Sequence, residues 1–168
     1  ACALPDDALV IVPVRNLVLF PGLIVPVAIG RERSIAGAQY AVKHERPVGI
    51  VLQSNPDAES PGADDMAQVG TIAAILRYVS TAEGTHHLIC QGQQRFRVLE
   101  YLAGHPFTVA RIARIAPTLD AADSDIEARL LRLRARAIEV LKLLPQAPQE
   151  IIDAVQAVES PEALTDMV

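Results

Sequence analysis

Apolar positions follow two rhythms along this chain, and the change falls near Pro117. Before it, apolar runs are short, β-branched and broken by glycine and proline, which predicts strands joined by turns. These runs cover residues 8–14 (ALVIVPV), 48–53 (VGIVLQ), 69–79, 87–90, 95–101 and 107–115. The segment LVLFPGLIVP, residues 17–26, adds extended pieces at 17–20 and 23–29, with Pro21-Gly22 supplying the turn of a bent strand pair. Ser34 caps one early helix with Ile35, Ala38, Ala41 and Val42 on one face, ending near Glu45 before Pro47. Residues 54–65 form a polar loop without periodicity, and 81–85 join a hairpin. The result is a twisted, partly closed β-unit without βαβ alternation.

Beyond Pro117 the apolar spacing becomes three and four residues. Ile126, Leu130, Leu133, Ala137, Val140, Leu141 and Leu144 define an amphipathic helix with Ser124 and Glu127 as a capping box and Arg129, Arg132 and Arg136 outside. Ile151, Ile152, Val155 and Val158 give a second helix, and Ser160-Pro161 opens a third. Two domains are therefore expected, a β domain over 1–117 and the start of a helical subdomain over 118–168. The third helix stops soon after it starts and no initiator Met is present, so the natural chain is expected to extend further.

The apolar run 17–26 raises the question of a membrane anchor. It is too short for a span of about 20 apolar residues, Arg15 and Arg31 bound it, and Pro21, Gly22 and Pro26 interrupt it. A net charge of −5 gives no general attraction to nucleic acid or to an anionic membrane. Two cysteines, Cys2 and Cys90, form neither a disulfide framework nor a metal motif, which fits a reducing, cytoplasmic location.

Reaction chemistry is hard to find. There is no phosphate-binding glycine loop ending in Lys-Ser or Lys-Thr, and Lys43 and Lys142, the sole lysines, lie on predicted helix exteriors away from any nucleophile elbow. His86 and His87 point to opposite faces of a strand, so they cannot share a metal. Cys90 has no adjacent base and reads as core. The acidic residues of the 54–65 loop lack the spacing of a calcium loop, and the arginines after 129 sit beside Glu127 and Glu139 as helix-surface pairs. Tyr40, Tyr78, Phe96 and Tyr101 are too scattered to stack bases. The profile is that of a binding or assembly domain with no catalytic, metal or cofactor site of its own.

The order of motifs carries a resemblance. Val12-Pro13-Val14-Arg15-Asn16, Phe20-Pro21-Gly22, Val25-Pro26 and Gly30-Arg31-Glu32-Arg33-Ser34-Ile35 are followed by Val69-Gly70-Thr71-Ile72-Ala73, Gly84-Thr85 and Gly92-Gln93-Gln94-Arg95-Phe96. Over roughly residues 9–115 this resembles the N-terminal domain of ATP-dependent Lon proteases. The family more often opens Leu-Pro-Leu-Arg, and often has an acidic residue where Gln91 stands. The resemblance implies an α+β fold, a PUA-like β pseudo-barrel with one early helix followed by the start of an α-helical bundle. It also implies a non-catalytic region of a parent ATP-dependent serine protease, whose ATP, magnesium and Ser-Lys dyad belong to modules outside this sequence. The implied partners are unfolded, damaged or degron-bearing proteins and the other subunits of a homohexamer, with no membrane and no nucleic acid.

A surface that holds many unrelated segments needs exposed apolar loops and open strand edges. Phe20, Pro21 and Leu23, together with Arg31, Glu32 and Arg33, are the candidate contacts, with Leu19 beside them. The competing reading puts Leu19 and Leu23 in the core, lets Phe20 plug the barrel end, and leaves the three charges as a solvated connector. A free-standing adaptor of the same fold, or a small-molecule or RNA-binding PUA-like module, is the alternative function.

Overall fold

The computed structural model describes residues 4–55, 58–81, 84–116, 124–143 and 149–167. The chain divides into two compact units, Ala1–Ala116 and Pro117–Val168. The architecture is α+β.

The first unit contains β1 (Ala8–Val14), β2 (Ile24–Ile29), α1 (Glu32–Lys43), β3 (Val48–Leu52), β4 (Val69–Ser80), β5 (His86–Leu102) and β6 (Val109–Arg114), with a short 3-10 turn at Ala63–Asp65. The sheet order is β2-β5-β4-β3-β1-β6, and β6 pairs again with β5. Five strands thus close into a ring, and β2 is attached outside it along β5. β1 and β3 run parallel, with Val12 opposite Ile50. A parallel pair requires a crossover, and the segment containing β2 and α1 provides one, where the sequence pattern suggested none.

β1 is buried on both faces. Val10, Val12 and Val14 enter one apolar cluster with Ala38 and Ala41 of α1, Leu88 and Cys90 of β5, and Phe107. Leu9 and Ile11 enter another with Val51, Ile72 and Phe96. Period-two alternation is therefore hidden in β1, which reads as a continuous apolar run because neither face meets water.

β5 spans 17 residues where two strands were expected. Gly92 does not break it: Gly92 stands opposite Ala73, and the register shifts nearby, between Ile72 and Ala73. Residues 17–20 form no ladder, so the expected strand pair reduces to β2 alone, preceded by a segment and a turn. Helix α1 starts two residues before Ser34. Arg31 occupies the N-cap position with extended backbone and no side-chain cap, Ser34 lies within the first turn, and Val42 is exposed.

In the second unit, α2 (Ser124–Leu143), α3 (Gln149–Ala157) and α4 (Pro161–Met167) meet through Ala137, Val155 and Leu164. Ser124 is the first helical residue, and Leu144 lies outside the described residues. Arg129 pairs with Asp125 at 2.9 Å, one turn away, while Arg134 turns inward to donate to the Val158 carbonyl at 2.5 Å. The Ser160 hydroxyl accepts from the Ala163 amide at 3.4 Å, an N-cap for α4.

Candidate functional site

The turn at Phe20-Pro21-Gly22 is built against β5. Gly22 adopts φ +83°, a left-handed conformation suited to glycine. Its amide donates to the Gly92 carbonyl at 2.8 Å, and the Gly92 amide donates to the Leu23 carbonyl at 2.9 Å. The preceding residue is fixed as well, because the buried Thr71 hydroxyl donates to the Leu19 carbonyl at 2.5 Å. A Cβ on Gly92 would stand 2.2 Å from the Phe20 carbonyl oxygen, so glycine there is what allows the turn to lie on the strand.

The side chains around this turn divide sharply. Leu19 is buried in the core, at 3% exposure. Phe20 is half-buried, and the Arg95 guanidinium lies 5.8 Å from its ring centroid, within cation–π range. Pro21 is also half-buried. Leu23 is 39% exposed, Ile24 56% and Val18 53%, which corrects the placement of Leu23 in the core and adds two apolar residues that sequence reasoning missed. Val18 and Ile24 flank the turn, and nothing in the local pattern separates them from buried Leu19, so their exposure follows from the tertiary fold of the turn.

Arg31, Glu32 and Arg33 lie elsewhere. The six residues of β2 separate them from Leu23, a span of roughly 20 Å for extended chain. They begin α1 and line a cleft of about 450 Å³ with Arg15, Ser34, Glu59 and Thr108. A neighbouring cleft of about 570 Å³ shares Arg15, Arg31 and Ser34 and runs along Leu17, Pro26 and Ala28. Glu32 and Arg33 are exposed. Arg31 is half-buried and tied down: its Nη2 donates to Gln53 Oε1 at 2.6 Å and to the Ala58 carbonyl at 3.2 Å. Gln53 is buried, and its amide nitrogen donates to the Asn55 and Ala58 carbonyls, so Arg31 at the start of α1, Asn55 and Ala58 are joined through one side chain. Burial, and secondarily the charge of Arg15, lowers the pKa of Arg31. The candidate contacts therefore form two groups, an apolar turn at one end of β2 and a charged cleft at the other.

The remaining chemistry is structural. Cys90 is a free, buried thiol whose pKa is pushed up to about 11 by burial. The Tyr78 hydroxyl lies 2.6 Å from His86 Nδ1, which accounts for that histidine as a strand-surface partner. Among the described residues, no group of three His, Cys, Asp or Glu side chains could hold a metal ion, and no helix is long and apolar enough to cross a membrane.

This architecture is shared with known proteins. A solved N-terminal domain of the Lon protease from the Mycobacterium avium complex superposes with a TM-score of 0.74 at 21% identity, over 95% of this chain and 80% of that one. The Lon N-terminal domain protein from Xanthomonas campestris gives a TM-score of 0.56 at 18% identity. In sequence, the Lon protease of Methylocella silvestris is 49% identical over 96% of this chain, and that of Phenylobacterium zucineum is 46% identical over 100%. The chain spans only 20% and 21% of those two proteins. The family model for the ATP-dependent protease La (Lon) substrate-binding domain matches residues 8–168, and the chain belongs to that family.

Proposed function

We propose that this chain captures unfolded or damaged polypeptides for a larger ATP-dependent serine protease, with the Phe20-Pro21-Gly22 turn and its exposed neighbours as the contact surface. The observation that carries this reading is an apolar rim, Val18, Leu23 and Ile24, exposed on a turn that Gly92 and Thr71 hold rigid. Exposed apolar side chains on a fixed frame lose little entropy on binding and make few demands on partner sequence. In this reading the parent is a cytoplasmic homohexamer, and ATP, magnesium and peptide-bond hydrolysis belong to its other modules.

The test is titration of the chain with a fluorescently labelled unfolded casein. Binding is expected in the micromolar range, and Leu23→Asp with Ile24→Asp should weaken it about tenfold while leaving the melting temperature unchanged. Failure of several unfolded proteins to bind at high micromolar concentration would refute direct capture.

A further inference from the structure

Three departures from regular backbone meet at one cleft between the end of α1 and β4. In the β4–β5 ladder Ile75 stands opposite Cys90 and Arg77 opposite Ile89, so Leu76 is an extra residue in β4. Ile72 stands opposite Gln94 and Ala73 opposite Gly92, so Gln93 is an extra residue in β5. A bulge re-aims the side chain it carries, and Leu76 and Gln93 are both exposed and line the same cleft, of about 370 Å³. The third departure is Glu45, which follows α1 with φ +50° and lines the cleft too; among the described residues no other non-glycine has a positive φ. Holding a glutamate in that conformation costs energy that glycine would have spared, which marks the position as one where the side chain is used.

The apolar lining of this cleft is open to water. Leu76 is 52% exposed and Val42 of α1 41%, and Pro47 lies with them. Two exposed charges of opposite sign also line it, Glu45 after α1 and Arg77 on β4. The third charge, Arg46, is engaged by the Leu4 and Pro5 carbonyls at 3.0 and 3.2 Å. A leucine projecting from a bulge beside a hollow, and an acid near a base, are what a surface needs to match itself. A two-fold axis sets each such feature of one copy against its complement on the other.

We infer that this face pairs with a second copy of the chain about a two-fold axis, Leu76 of each copy entering the cleft of the other and Glu45 of each lying against Arg77 of the other. The pairing stands apart from the capture reading, because neither Leu23 nor Ile24 lines this cleft. A patch of so few residues falls well below the roughly 20–30 per side of a standard interface, so the pairing is weak, with a dissociation constant on the order of 100 μM. The chain is then monomeric at the low micromolar concentrations of the casein titration and pairs in concentrated solution.

Sedimentation equilibrium of the 168-residue chain from about 5 μM to about 1 mM, which brackets that constant, should show the mass rising from the 18.0 kDa monomer towards the dimer. Leu76→Asp should abolish the rise and leave casein binding unchanged. Glu45→Arg and Arg77→Glu should each weaken pairing about tenfold, because both polar contacts of the dimer become like-charged. Mixed in equal amounts, those two variants should pair at least as tightly as the unsubstituted chain, since each copy then meets opposite charges on the other. All three positions are exposed, and thermal melting checks that each variant folds. A chain still monomeric at about 1 mM, a dimer that survives Leu76→Asp, or a mixture that pairs no better than either variant alone overturns the inference. So does a Leu76→Asp variant that loses casein binding and keeps its mass rise, which gives the cleft to the captured polypeptide. A mass rise in a chain that fails to bind casein refutes capture and leaves the pairing in place.

Discussion

Gly92 is the residue on which the turn depends. Its missing Cβ leaves room for the Phe20 carbonyl, and its amide and carbonyl both bond the turn. Gly92→Ala therefore forces either the turn or β5 to move, at about 3 kcal/mol, which is at the upper end of overpacking costs. Urea denaturation should show a correspondingly lower midpoint, and an unchanged midpoint would mean that the turn is not fastened here. Phe20→Ala is milder, about 1–2 kcal/mol, because the ring is half-buried and its Arg95 contact is only part of its worth. Cys90 offers a titration test. Its folded pKa, about 11, lies above the 9.0 of the free thiol. The protonated thiol thus contributes stability in full below about pH 9, and that contribution is lost as pH rises towards 11. In a Cys2→Ser background, a disulfide reagent at pH 8 should modify native Cys90 at least ~100-fold more slowly than the unfolded chain, in line with its thiolate fraction. Equal rates would place the thiol at the surface.

Among the elements, β2 is the most exposed to misuse. It lies outside the ring with one side unpaired by any described strand, and Pro26 sits at its centre opposite Ile89. Proline has no N–H to donate, so a second strand could not form a continuous ladder along that edge. For the proposed capture, strand addition along this edge is thereby disfavoured, which favours side-chain contacts at the turn. Pro26→Val restores the donor and should produce concentration-dependent self-association in light scattering, with the melting temperature little changed; a monodisperse variant would mean the edge is protected some other way. Element existence was largely legible in the sequence, because β1, β3, β4 and α2 each carry a sustained pattern bounded by turn residues. What was not legible depended on tertiary contacts. Gly92 reads locally as punctuation, yet it is a point of close approach inside a continuous strand. Glu32 and Arg33 read as a connector, yet they form the first turn of α1 because Arg31, pinned by Gln53 and Ala58, sets the helix start. The same limit applies to the candidate surface: Leu19 and Leu23 are alike in composition, and only the fold of the turn sends one inward and the other into solvent.

At the scale of the whole molecule, the two units differ in how much core they own. The first has two apolar clusters drawn entirely from residues between Leu4 and Ile112, and its strands close on one another. Among its described residues the second buries chiefly Ala137, Ile152, Val155 and Leu164, while Leu131, Val140, Leu143 and Ile151 remain 45–78% exposed. About 50 residues with so small a core cannot offset the conformational entropy of ordering three helices with any margin. Separated at Pro117, the halves should therefore behave differently. Residues 1–116 are expected to unfold cooperatively with a midpoint close to that of the longer chain, and to keep the casein affinity, since every residue invoked for it lies within them. Residues 117–168 should show partial helicity by circular dichroism and a broad, shallow melt, because isolated helices with uncovered apolar faces gain little from packing. A cooperative melt of the helical piece alone, or loss of casein binding by the β piece, would show that folding and recognition are shared across the boundary.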